Sequence, residues 1–201
     1  MLALRRTLLL VVLGAVSAVA PVEAQSDYRF AAGVGVTFFE STGKGIDDAV
    51  RLTPVLRSRR RGFGSALGFN WLATEVAPEA KDLAVRGDLR VRPIMIGPAY
   101  TAVVGRLATT AAVVAGYSFN RITPVATSRE PVSLRVDNSV AWAPSLTLAL
   151  DLSRRFGVVT QASYLVTRPR ITAEINGTVD RSRWRADTLV VQAGVVIGVF
   201  K

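Results

Sequence analysis

Cysteine and histidine are both absent from the 201 residues of this sequence. Without cysteine the chain has no disulfide framework, no thiol nucleophile and no cysteine for N-terminal lipidation. Without histidine it lacks the commonest general base and the commonest transition-metal ligand. These two absences exclude serine–histidine catalysis and zinc chemistry, and we expect neither a metal nor a cofactor.

Long hydrophobic runs are also missing once the N-terminal segment has passed. Beyond it, no window approaches the roughly 18 uninterrupted apolar residues of a membrane helix. At the N-terminus, Arg5 and Arg6 precede an apolar stretch over residues 8–19, and a Val-Glu-Ala triplet follows it. This arrangement is typical of a secretory signal peptide, whereas a membrane anchor would need a longer stretch. We predict a signal peptide at residues 1–24 and an exported domain at residues 25–201.

Negative charge is scarce. The chain has 25 lysine and arginine residues against 15 aspartate and glutamate, a net charge of +10, and all but three of the basic residues are arginine. The arginines are scattered among apolar segments and form neither a basic helix nor an aromatic-interleaved patch. We therefore predict no nucleic-acid partner.

Most of the exported domain alternates between large apolar residues and small or polar ones. This period of two is typical of β-strands that have two different faces. Polar stretches, most of which contain glycine or proline, separate eight such segments. They cover residues 28–38, 50–57, 63–72, a fourth running from residue 83 to the turn at 105–106, 107–119, 140–152, 156–166 and 187–200.

The connections between these segments alternate in length. Residues 58–62 and 153–155 are tight basic turns, whereas residues 120–138 and 169–186 are long polar segments read as loops. An up-and-down outer-membrane barrel has short turns on its periplasmic side and longer loops outside. We predict an all-β fold, an up-and-down antiparallel eight-stranded transmembrane β-barrel, in which residues 187–200 close against the first strand.

Two orientations of a closed barrel compete. A soluble lipocalin-like barrel points its apolar residues inward around a lipid, whereas a membrane barrel points them outward. Here the opposite face is rich in glycine, alanine, serine and threonine, which fit a narrow interior, and aromatic residues lie near strand ends as interfacial girdles do. We predict the membrane orientation, with a soluble periplasmic lipid-binding barrel as an alternative.

In these respects the chain resembles the small eight-stranded outer-membrane β-barrels of the OmpX and OmpA-barrel type. The resemblance covers essentially all of the exported domain and rests on the signal peptide, the alternation, the connection lengths and the near-terminal Phe200. It implies a monomer inserted by the barrel-assembly machinery into the outer membrane of a Gram-negative bacterium. Lipid-modifying barrels commonly use a histidine–serine pair, so we predict that this chain is not an enzyme.

One set of charged residues falls on the face predicted to be interior. Such charges must pair or stay hydrated, because an isolated buried charge is very costly. They form either a structural ion-pair network that fills the barrel or a narrow anion-favouring porin. The residues of this predicted lumen charge network are Arg29, Arg51, Arg57, Arg86, Asp88, Arg90, Arg92 and Asp151.

The segments at residues 120–138 and 169–186 are the predicted interaction surfaces, since binding residues concentrate on loops held by a rigid scaffold, and the second segment contains a cluster of arginines. These arginines suit the phosphates of lipopolysaccharide, and a merely solvated loop is the alternative. We predict a structural or surface-interaction protein of the outer membrane without catalysis. The candidate binding residues are Arg170, Arg181, Arg183, Trp184 and Arg185.

Overall fold

A computed structural model describes residues 30–41, 49–58, 60–69, 72–76, 86–125, 132–175, 178–183 and 185–200. The predicted signal peptide, Arg29 and Trp184 lie outside the described residues. No helix in the described segments is long and apolar enough to cross a membrane. The strands are β1 (Phe30–Ser41), β2 (Ala49–Ser58), β3 (Gly62–Gly68), β4 (Leu72–Val76), β5 (Arg86–Val104), β6 (Leu107–Val125), β7 (Val132–Val136), β8 (Ser139–Asp151), β9 (Phe156–Thr167), β10 (Arg170–Ile175), β11 (Thr178–Arg183) and β12 (Thr188–Phe200).

Nine strands of the described chain form one antiparallel sheet. Its hydrogen-bonded order is β2, β1, β12, β9, β8, β6, β5 and β3, and β4 also pairs with β5. Because β3 and β4 pair with successive parts of β5, they are two pieces of one strand of the wall. The curled wall therefore has eight strands that meander up and down in chain order, and the predicted eight-stranded antiparallel fold is confirmed.

The first and last strands pair along their whole length, as predicted. The ladder runs from Phe30 opposite Phe200 to Ser41 opposite Thr188. It brings the start of β1 and the end of β12 to the same end of the wall as the tight turns after β2, β5 and β8. We call this the short-turn end. Gly62 and Gly105, with φ of 100° and 57°, adopt left-handed conformations in two of these turns.

We call the junction between β2 and the β3–β4 strand the seam. No backbone ladder joins these two edges among the described residues. Pro54 lies within β2 and has no backbone N–H to donate to a neighbouring strand. A side chain crosses the seam, since Arg51 Nη2 donates a hydrogen bond of 2.9 Å to the Ala73 carbonyl oxygen of β4.

The reading of residues 120–138 and 169–186 as loops was wrong. They contain the end of β6 and the strands β7, β10 and β11, and the last three form a second sheet in the order β11, β10, β7. This extension sheet continues β8, β9 and β12 beyond the wall. The alternation of apolar and polar residues did not predict these strands, because polar residues occupy much of both faces. In β11, for example, the sequence is Thr-Val-Asp-Arg-Ser-Arg.

Polar side chains join the wall to the extension sheet. The Asn120 N–H donates to Asn138 Oδ1 at 2.9 Å, the hydroxyls of Ser139 and Thr167 lie 2.8 Å apart, and the Thr167 N–H donates to Asp187 Oδ1 at 3.2 Å. We call these five residues the polar junction. It crosses β6, β8 and β9 to the start of β12, so it holds four neighbouring strands at the level where the second sheet begins.

Backbone approaches within the wall require glycine at some positions. A Cβ added to Gly97 would overlap the carbonyl oxygen of Val113, and one added to Gly116 would overlap the carbonyl oxygen of Ile94. At Gly64 on β3, an added Cβ would meet nothing within 4 Å. Glycines on the same sheet therefore differ in their tolerance of a side chain.

We predict that Gly97→Ala lowers the free energy of unfolding by about 1–3 kcal/mol, because a rigid carbonyl cannot move away as a flexible side chain would. The matched control is Gly64→Ala, which restricts the unfolded chain and should be neutral or stabilising by up to about 1 kcal/mol. Urea unfolding of both variants in lipid vesicles measures the difference. Equal losses at the two positions would contradict the close approach at Gly97.

Candidate functional site

The outward side chains of the wall are large and apolar. Leu52, Phe63 and Ile96 are 77%, 89% and 62% exposed. A monomer in water rarely exposes so much contiguous apolar surface, whereas a membrane barrel faces lipid with it. The predicted outward orientation of the apolar faces is therefore confirmed for the strand segments that form this band. Further members of this apolar band are Val34, Leu56, Leu67, Ile94, Tyr100, Val113, Leu146, Val195 and Ile197.

An ion pair occupies the interior at the short-turn end. Arg57 Nη1 lies 2.6 Å from Asp151 Oδ1, and the two side chains are only 5% and 0% exposed. β2 and β8 bring them together, although 94 positions separate them in the chain. One row further in, Val55 and Ala149 belong to a buried apolar cluster. The other members of that cluster are Ala31, Val159 and Val196.

The middle of the interior is polar but uncharged. Thr53 Oγ1 lies 2.6 Å from Thr37 Oγ1 and accepts a hydrogen bond of 2.6 Å from Gln192 Nε2. On β5 and β6, the hydroxyls of Thr101 and Thr110 lie 2.9 Å apart. These pairs satisfy hydroxyl and amide groups that would be costly to bury unpaired. Among the described residues, no acidic cluster is suited to hold a metal ion.

Towards the opposite end, the interior becomes apolar. Leu89, Val91 and Met95 of β5 are at most 1% exposed. Met95 belongs to a second buried cluster that β6, β8 and β9 also contribute to, with Leu165 as its other large side chain. The odd-numbered residues of β5 therefore point inward, and they remain apolar beyond the level of the lipid-facing band.

The charged residues of β5 point outward. Asp88, Arg90 and Arg92 are exposed on the face opposite Leu89 and Val91, although the sequence analysis placed them in the lumen. The difference arises because every large apolar face was assigned to the outside, whereas this part of β5 packs its apolar face inward. Its outer face lies beyond the apolar band and is polar.

The other residues of the predicted lumen charge network have separate positions. Arg57 and Asp151 are brought together inside, and Arg51 is exposed at the seam. Arg86 begins β5, but its side chain is outside the described part, as is Arg29. Among the described side chains, the structure therefore brings only one pair of the predicted network together.

Exposed arginines cover the outer surface just beyond the apolar band. We call seven of them, which lie on β5, β6, β7, β10 and β11, the basic belt. Arg185, next to the belt before β12, is also exposed. Arg121 and Arg135 were not named as candidates in the sequence analysis, although both lie in the segment at residues 120–138. The members of the basic belt are Arg90, Arg92, Arg121, Arg135, Arg170, Arg181 and Arg183.

Two pairs in the basic belt place like charges directly opposite each other. Arg90 faces Arg121 across β5 and β6, and Arg170 faces Arg183 across β10 and β11. A third row places Arg135 and Arg181 on either side of Thr172. Such an arrangement can hold an anion between two guanidinium groups.

Aromatic rings lie directly below the first of these pairs. Phe119 faces Arg92, and Tyr117 faces Ile94 in the next row towards the apolar band. The rings of Tyr117 and Phe119 meet edge to face, with centroids 5.5 Å apart. Over three rows, the outer surface of β5 and β6 thus passes from apolar through aromatic to basic.

No family model and no curated protein matches the chain. Among solved structures, the outer membrane protein OprG from Pseudomonas aeruginosa is similar, with a TM-score of 0.73 at 12% identity, covering 90% of this chain and 100% of OprG. The outer membrane protein AlkL, determined in lipid bilayers, has a TM-score of 0.54 at 13% identity, covering 90% and 95% of the two chains.

A third similar structure is the outer membrane protease OmpT from Escherichia coli. It has a TM-score of 0.52 at 7% identity and covers 89% of this chain and 99% of its own. Because the sequence identities are this low, the similarity shows a shared fold and does not assign a function. This chain therefore has the fold of the small outer-membrane β-barrel proteins.

Proposed function

We propose that this protein is a non-conducting outer-membrane β-barrel with a structural and surface-interaction role and no catalytic activity. The observation that carries the proposal is the buried ion pair of Arg57 and Asp151 in the interior at the short-turn end. An eight-stranded barrel is just wide enough for its own side chains, so a paired arginine and aspartate occupy the cross-section that ions would need.

An anion-favouring porin has less support. An anion path would need positive charges along the lumen, but the inward Arg57 is already paired with a carboxylate. Arg90 and Arg92, which would supply positive charge further along, face outward. The interior between these levels presents hydroxyl, amide and apolar groups, which do not offset the cost of dehydrating an ion.

The charged surfaces at both ends of the apolar band support a membrane role. The basic belt lies beyond one edge of the band, and exposed arginines follow the other edge in the short turns. Arginine at the edge of a membrane segment reaches the headgroups while its stem stays in apolar surroundings. The short-turn arginines are Arg60, Arg61, Arg154 and Arg155.

The first prediction concerns conductance in planar lipid bilayers. We expect the folded wild-type protein to give no current steps above background in concentrated potassium chloride. Arg57→Ala/Asp151→Ala removes both side chains that close the interior and should introduce small steps. A shift of gel mobility on heating verifies that both proteins are folded. Anion-selective conductance of the wild type would contradict the proposal.

The second prediction concerns the stability of the closure. Arg57→Met removes the guanidinium that pairs with the buried carboxylate of Asp151 and should lower the free energy of unfolding by about 3–5 kcal/mol. Arg57→Met/Asp151→Leu replaces both charges by apolar groups and should recover most of that loss, because a buried pair and a packed apolar replacement are often similar in stability. Urea unfolding in vesicles measures both. Equal losses in the single and double variants would show that the charges are not coupled.

A further inference from the structure

The basic belt contains a locally unfavourable arrangement of charges. Like charges directly opposite each other on neighbouring strands are unfavourable, and their Cβ atoms are only about 4.5–5.5 Å apart. Among the described residues, no ion pair joins Arg90 or Arg121 to a carboxylate. Arg170 and Arg183 repeat this arrangement on the extension sheet. A bound anion would turn both repulsive pairs into favourable ones.

The net charge of this surface favours an anionic ligand. Seven exposed arginines form the belt, whereas the described exposed carboxylates at the same level are Asp88, Asp137 and Glu174. Arginine presents a planar fork of N–H donors that binds phosphate through two parallel hydrogen bonds. Two opposite guanidinium groups offer such forks from both sides, which suits a phosphate monoester better than a single carboxylate.

The position of the belt identifies the kind of molecule that carries the phosphate. The arginines lie on the outer flank of the strands, beside the lipid. Directly below them lie Phe119 and Tyr117, and then Ile94 of the apolar band. A ligand that uses this surface must have its phosphate and an apolar chain next to each other. A lipid with a phosphorylated headgroup meets this requirement, whereas a soluble anion would use only the upper half.

We infer that the basic belt binds the phosphates of a phosphorylated glycolipid in the outer leaflet, namely the lipid A part of lipopolysaccharide. Each arginine pair offers a site for one lipid phosphate, and the two pairs are separated by three strand positions along the wall. The inference rests on the proposed function because it requires the barrel to lie in the outer membrane. It names lipid A as the partner in the surface-interaction role. The sequence analysis placed the contact with lipopolysaccharide on a loop, whereas the arginines of the basic belt lie on the sides of paired strands.

The test titrates the folded full chain in detergent with lipid A that carries both phosphates, with dephosphorylated lipid A, and with inorganic phosphate. Native mass spectrometry counts the bound lipid and gives an apparent affinity. The variants are Arg90→Gln/Arg121→Gln and Arg170→Gln/Arg183→Gln. The matched control is Arg60→Gln/Arg61→Gln, which removes the same charge from exposed arginines at the short-turn end.

We expect each belt variant to bind phosphorylated lipid A about tenfold more weakly, while the control stays within about twofold of the wild type. Arg90→Lys/Arg121→Lys keeps the charge but loses the fork and should fall between these values. Added salt should weaken binding to the wild type more than to the belt variants. Heat-shifted gel mobility verifies that every variant is folded.

Three outcomes would overturn the inference. They are an equal loss in the control variant, equally tight binding of dephosphorylated lipid A, and full competition by inorganic phosphate, which would indicate a site for any small anion. The planar-bilayer measurement separates this inference from the proposed function. A silent barrel that does not distinguish the two lipids refutes only the lipid A site, and a conducting barrel that binds lipid A refutes only the closed interior.

Discussion

Backbone hydrogen bonding in the absence of water is the constraint on which this structure depends. In hydrocarbon each unpaired N–H or C=O group costs several kcal/mol, so each strand needs a partner on both sides. The β1–β12 ladder meets this need at the chain ends. At the seam no described ladder does so, and the guanidinium of Arg51 supplies a donor to the carbonyl of Ala73. Because the ladders fix the register, they also fix which side chains face inward.

The register explains how β5 can present an apolar outer face along one part of its length and a basic outer face along another. On β5 the outward residues change from Ile94 and Ile96 to Arg90 and Arg92, while the inward residues stay apolar. The polar junction lies at this level on the neighbouring strands and links the wall to the extension sheet. It thereby places arginines that are distant in the chain on one outer surface. The basic belt is thus a product of register and would not exist on independent loops.

The eight wall strands, their order and the β1–β12 pairing could be predicted because alternation and connection lengths carry that information. Alternation shows which residues share a face, but it does not say which face is inside. That limit explains why Arg90 and Arg92 were placed in the lumen, because the inner and outer faces were assigned from apolarity alone. The β10–β11 hairpin did leave a signal, since Asn-Gly at 176–177 between alternating residues is typical of tight hairpins. The direct contact between Arg57 and Asp151 could be identified only from the structure, because no sequence pattern relates two positions that are 94 apart.

The change of polarity along β5 also sets the thickness of bilayer that the protein fits. Ten residue steps separate Ile94 from Val104, which at a tilt of about 40° span roughly 25 Å along the membrane normal. Arg92 follows immediately at one edge, and the β5–β6 turn at the other. The barrel cannot slide vertically without moving a guanidinium into hydrocarbon. In a thicker membrane the lipids around it must compress, so it favours thin membranes over thick ones.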